Sequence, residues 1–166
     1  MKITRETEYA FRCVSFLSSQ PDMIRSVEEI AAATEIPPMF LAKILQKLQR
    51  GKIVRSFRGI LGGFSLIQNP EQITMLQVLK AMGDPLAFND CVIAPDSCSR
   101  SGVCLLHPVW KEIRRVVENM LGQATIAPRE PGRAKVEPTL PTASPRNSGK
   151  AVNIRLPAIR KKKPVA

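Results

Sequence analysis

Apolar and polar positions follow two distinct periods along this chain. Between Thr4 and Ser19, Ala10, Cys13, Val14 and Leu17 recur at i, i+3, i+4 and i+7, the spacing that places side chains on one face of a helix. The pattern predicts a helix over 4–19 and makes Cys13 a small buried hydrophobe. After a polar loop at 20–25, Ser26 and Glu29 stand at capping-box spacing and start a second helix reaching about Thr34. Pro37 and Pro38 open a third, because proline is tolerated in a first helical turn. Leu41, Ile44, Leu45 and Leu48 form its core stripe, and Gly51 is expected to end it, as glycine often does. The period then falls to two. Ile53 to Arg58 alternates like a strand, Gly59-Ile60-Leu61-Gly62-Gly63 makes a turn, and Phe64-Ser65-Leu66 returns. Thr74 with Gln77 caps a fourth helix to about Met82, which Gly83-Asp84-Pro85 stops. A final helix starts near Leu105, with Pro108 in its first turn, and runs to about Leu121.

Three helices followed by a glycine-rich hairpin is the order of a winged helix-turn-helix. The predicted fold is therefore mostly α with a small β-hairpin. Residues 1–84 form the winged-helix region, 85–104 a cysteine-bearing loop, and 105–126 a long C-terminal helix. On that helix Val109, Ile113, Val116, Val117 and Met120 make an apolar stripe beside Trp110. So small a chain offers this stripe little domain to pack on. Its expected mate is the same helix of a second copy, giving a two-fold homodimer; the alternative is that it folds back on the first helix.

Charge separates the two ends. The net charge is +11, yet residues 127–166 hold ten Lys or Arg against two acidic residues, leaving +3 for residues 1–126. That tail also carries seven of the fourteen prolines and no aromatic residue, so it cannot bury enough apolar surface to offset its ordering entropy. It reads as a disordered Pro-rich basic tail. Its Arg160-Lys161-Lys162-Lys163 cluster suits phosphate backbones or serves solubility alone. No apolar run approaches the roughly 18 residues of a membrane span, so no membrane partner is expected. The stretch Met1 to Glu8 is polar, unlike a secretion signal. The expected location is the cytoplasm, where thiols stay reduced.

The third helix offers Lys43, Lys47 and Arg50 with the neutral reader Gln46 on its polar face. A helix laid in a major groove needs this mix, cations for phosphates and amides or small side chains for base edges. Arg55 and Arg58 lie beside the glycine turn, where an arginine can enter a minor groove. The expected partner is a double-stranded DNA operator.

The densest chemical signal is Cys91-x6-Cys98-x5-Cys104, followed three residues on by His107, the single histidine. Thiolates are soft ligands suited to zinc or iron–sulfur clusters, and a zinc ribbon usually uses tighter pairs. A disulfide-forming thiol switch is the rival reading. Catalysis finds no support: no serine or paired carboxylate sits near His107 in a hydrolase-like pattern, and the glycines lie in a hairpin, not a phosphate loop. The chain is expected not to be an enzyme.

Thr7-Glu8-Tyr9-Ala10, the stretch Leu48 to Phe64 with Arg58-Gly59 and Gly62-Gly63, and the three cysteines followed by Leu105-Leu106-His107-Pro108-Val109-Trp110 resemble the winged-helix repressor family that includes IscR, NsrR, RirA and CymR. The resemblance covers residues 1–122. It implies a homodimer on a near-palindromic operator, with Arg58 as the wing arginine and Met39, Phe40, Ala42 and Lys43 at the base-reading start of the recognition helix. It also implies an iron–sulfur cluster, 2Fe-2S or 4Fe-4S, held by Cys91, Cys98 and Cys104, although the first spacing is six here and often five in the family. Two fourth ligands stay open: His107, as in IscR-like members, or Glu8 from the partner subunit, as in NsrR-like members. The implied function is a transcription regulator whose operator binding responds to iron, redox state or nitric oxide. The alternatives are a cofactor-free thiol-redox regulator and a structural zinc module that serves protein contacts.

Overall fold

The computed structural model describes residues 3–59, 61–84, 86 and 89–128. The expected tail beyond 128, with its Arg160–Lys163 cluster, lies outside the described residues. Among the described residues six α-helices and one hairpin follow in order: α1 (Arg5–Ser18), α2 (Val27–Thr34), α3 (Pro38–Arg50), β1 (Val54–Phe57), β2 (Gly63–Leu66), α4 (Met75–Met82), α5 (Asp90–Ile93) and α6 (His107–Gln123).

Local chemistry starts each element where the side chains require it. The Thr4 hydroxyl accepts from the Thr7 amide at the head of α1. Ser26 with Glu29 and Thr74 with Gln77 both form complete capping boxes, satisfying amide groups that a helix leaves orphaned. The predicted stripes meet in one core. Ala10, Cys13, Val14 and Leu17 of α1 pack with Leu41, Ile44, Leu45 and Leu48 of α3, Val54 of β1 and Val78 of α4. Burial pushes the Cys13 thiol up to about 12, so it stays protonated and inert near neutral pH.

The hairpin is antiparallel, with Val54 opposite Leu66 and Phe57 opposite Gly63. A third segment, unexpected from the sequence, lines its edge: the Arg25 and Phe64 amides donate to each other's carbonyls at 3.0 and 2.8 Å. Gly63 makes this possible, because a Cβ there would stand 2.3 Å from the Arg25 carbonyl oxygen.

Gly51 ends α3 as expected, though not through a left-handed turn. Its φ is −74°, and Lys52 takes the positive φ of 57° instead. Glycine is required for close packing, since a Cβ at Gly51 would lie 2.4 Å from the Ala81 Cβ of α4. Two expectations need correction. The cysteine loop is not wholly irregular; it holds α5 and a 3-10 turn at Pro95–Ser97. The last helix does not fold back on α1. It packs on α4 and α5, and it stops at Gln123, because residues 124–126 pair with the entry to α4. There the Met75 amide donates to the Ala124 carbonyl at 2.8 Å and the Ile126 amide to the Ile73 carbonyl at 2.9 Å.

Candidate nucleic-acid interface and cysteine segment

At 100° per residue, positions 39, 42, 43, 46 and 50 of α3 fall within an arc of about 100°. Met39, Ala42, Lys43, Gln46 and Arg50 are all exposed there, opposite the buried leucine stripe. Met39 is 81% and Phe40 59% exposed, a large apolar area for the open end of a helix. Phe40 and Lys47 lie at the edge of this arc towards α1. Phe40, Lys43 and Ile44 there line an open groove of about 370 Å³ with Arg5, Glu6 and Tyr9. Lys47 is only half-exposed, and its Nζ donates to Glu6 Oε2 at 2.7 Å.

The wing presents its two arginines differently. Arg55 donates from Nε to the Ser65 hydroxyl at 3.2 Å and lies over the Phe57 ring at 5.1 Å. Arg58 is exposed just beyond β1, and the turn carries Leu61 at 91% exposure. The Gln49 amide donates to the Ser56 hydroxyl at 3.1 Å, tying recognition helix to wing. A link across the fold anchors α1 beneath this surface. Asp84 Oδ2 accepts from the Thr4 amide (3.0 Å), the Thr4 hydroxyl (3.0 Å) and the Thr7 hydroxyl (2.8 Å). Burial pushes the Asp84 carboxyl up, but these three hydrogen bonds outweigh it and hold the group below its usual range.

Cys91 lies in α5, Cys98 follows the 3-10 turn, and Cys104 directly precedes the residues that open α6. All three are free and half-buried. His107 is the first residue of α6, and its buried Nδ1 has no hydrogen-bond partner among the described residues. Glu8 is exposed and paired with Arg12 at 2.6 Å. Among the described residues no three His, Cys, Asp or Glu side chains converge closely enough to share one ion. The donors nevertheless fit a cluster chemically: three thiols, and a buried imidazole nitrogen lacking the partner that buried polar atoms normally have. Sequence reasoning missed what joins this segment to the long helix. Arg114 of α6 donates to the Val92 carbonyl at 3.1 Å, next to Cys91, and to Glu118 at 2.9 Å.

Residues 3–128 match the Rrf2 family, described as iron-dependent transcriptional regulators. The chain belongs to the Rrf2 family. A protein of Aquifex aeolicus, assigned by name to the HTH-type transcriptional regulators, is 32% identical over 120 residues, 71% of this chain and 83% of its own. The HTH-type transcriptional regulator NsrR of Halalkalibacterium halodurans is 29% identical over 128 residues, 76% of this chain and 88% of its own. Among solved structures, T. potens IscR superposes with a TM-score of 0.61 at 19% identity, covering 76% of this chain and 83% of that one. CymR, the global cysteine regulator of B. subtilis, gives 0.61 at 20%, covering 76% and 93%. These likenesses establish the winged-helix fold, and the Rrf2 membership makes the chain a transcriptional regulator. No helix among the described residues is long and apolar enough to cross a membrane.

Proposed function

We propose that this Rrf2 protein is a homodimeric DNA-binding regulator whose operator affinity is set by an iron–sulfur cluster on its cysteine segment. One observation carries the DNA part: the exposed arc of Met39, Ala42, Lys43, Gln46 and Arg50 is framed by α2 and by a wing bearing Arg58. Met39, Ala42 and Gln46 suit base edges, Lys43 and Arg50 phosphates, and Arg58 a minor groove. Phe40 flanks the arc as an apolar contact, and Arg55 supports the wing.

Cys91, Cys98 and Cys104 would hold the cluster as thiolates. The orphaned His107 Nδ1 favours His107 as fourth ligand over Glu8, which is exposed and already paired with Arg12. When bound, such a group supplies iron ligation that responds to iron supply, oxidation or nitric oxide. The chain's own part is mechanical. Cys104 abuts α6, and Arg114 fixes the carbonyl next to Cys91 to the same helix. Along the α6 stripe Val109 is exposed, Ile113, Val116, Val117 and Met120 are half-buried, and no α6 residue is buried, which supports a second copy as its missing cover. In a two-fold dimer α6 sets the distance between the two α3 helices, and operator half-sites repeat at about 34 Å. A shift of the cysteine segment would therefore change affinity.

The second reading, a cofactor-free thiol-redox regulator, is favoured by three free half-buried thiols that do not converge. Purification without oxygen separates the readings. A brown protein containing iron, whose visible bands vanish in Cys91→Ala, Cys98→Ala and Cys104→Ala but persist in Cys13→Ala, is the expected result. A colourless, metal-free protein whose thiols pair on oxidation supports the second reading, and bound zinc supports a structural zinc module.

A further inference from the structure

We infer that Glu6 of α1 is a specificity-determining positioning residue, which keeps Lys47 of the recognition helix away from sequence-blind phosphate contact. The inference rests on α3 being the DNA reader. From sequence, Lys47 counts as one more cation on α3. In the fold it belongs to a different environment. It lies off the exposed arc of Met39, Ala42, Lys43, Gln46 and Arg50, on the flank facing α1. Its ammonium meets the Glu6 carboxylate at 2.7 Å across 41 residues of sequence. Both side chains are partly withdrawn from water, at 37% and 41% exposure, so the pair is screened less than a fully exposed one. Glu8 and Glu29 are engaged by Arg12 and Arg25. Among the described residues Glu6 is the carboxylate that forms an ion pair with the recognition helix.

The consequence follows from how DNA uses cations. On random sequence no base contact fixes the register, so the complex settles wherever most cations meet phosphates. On a preferred sequence, base-edge contacts fix the register, and a lysine turned towards α1 adds little. For Lys47 to reach a phosphate it must leave Glu6, exposing a carboxylate close to the DNA. The pair thus penalises random binding more than specific binding, without touching a base.

The test uses the full chain and two duplexes of equal length, one enriched from a random pool by the wild-type protein and one of scrambled sequence. Glu6→Gln should bind the scrambled duplex roughly fivefold tighter at about 0.15 M salt, with a log–log salt slope steeper by about 0.9, the signature of one added phosphate contact. The enriched duplex should gain less than twofold. Adding Lys47→Gln to Glu6→Gln should erase the gain, which a general loss of negative charge would not allow. An unchanged slope in Glu6→Gln, an equal gain on both duplexes, or a gain that survives in the double variant would overturn the role of Glu6. A wild-type protein that prefers no duplex would overturn the DNA reading itself.

Discussion

The winged-helix body and the C-terminal arm use the same kind of apolar stripe with opposite results. In α3, Leu41, Ile44, Leu45 and Leu48 are wholly buried. In α6, an amphipathic helix four residues longer, no residue is buried, and Leu105 and Leu106 just before it remain 76% and 60% exposed. The body completes its core with its own elements, whereas the arm presents a surface and touches the body through α4, α5 and the 124–126 pairing. The buried core cluster is drawn from residues 10–82, with Ile126 of the arm packed against it, and the α6 stripe is left uncovered, as the proposed assembly requires.

The comparison breaks most visibly if core and arm respond alike. Leu45→Ala should cost about 2–5 kcal/mol, as expected when a buried leucine leaves a cavity, while light scattering shows the same assembly as wild type. Ile113→Asp should leave the body folded but yield monomers in light scattering, because a carboxylate buried in the α6 contact has no partner. A dimeric Ile113→Asp variant would show that α6 is not the contact.

A smaller effect sharpens the account of how the body is closed. Gly51→Ala should destabilise by about 1–3 kcal/mol through overpacking against Ala81, and Ala81→Gly in the same chain should restore most of it. If the double variant stays as weak as Gly51→Ala, the glycine serves something other than this contact.

The smallest effect concerns pH. The Asp84 carboxyl is held below its unfolded value of about 3.9. Its contribution is therefore present above about pH 4 and is lost as pH falls through the lower folded value. Melting temperatures of wild type and Asp84→Asn should differ above pH 4 and converge towards pH 2. A constant gap would mean that the charged form gains nothing from Thr4 and Thr7.

Local signals were legible in the sequence: the Ser26 and Thr74 caps, the core stripes of α1 and α3, and the hairpin around Gly59–Gly63. Each depends on residues a few positions apart. What escaped depends on distance along the chain. Asp84 reaches Thr4 across 80 residues and Lys47 reaches Glu6 across 41, and the Arg25–Phe64 pairing joins a loop to a strand. No periodicity encodes such meetings. Gly51 was legible as a helix end but not as a contact, because the residue that requires it, Ala81, lies on another helix. The four residues of α5 are too few to show a helical period. Of the candidate site, the exposed α3 arc and Arg58 were readable, whereas the tethering of Lys47 and the Arg114 link to the cysteine segment were not.

The central claim is that the winged helix, not the basic tail, reads sequence. It is tested most directly by a salt titration of wild type, Arg58→Ala and a chain ending at Ile126 on the enriched and scrambled duplexes. Arg58→Ala should lose affinity for the enriched duplex selectively, by about 1–3 kcal/mol. The truncated chain should weaken on both duplexes with a shallower slope and an unchanged preference. Loss of preference on truncation, with preference intact in Arg58→Ala, would contradict the account.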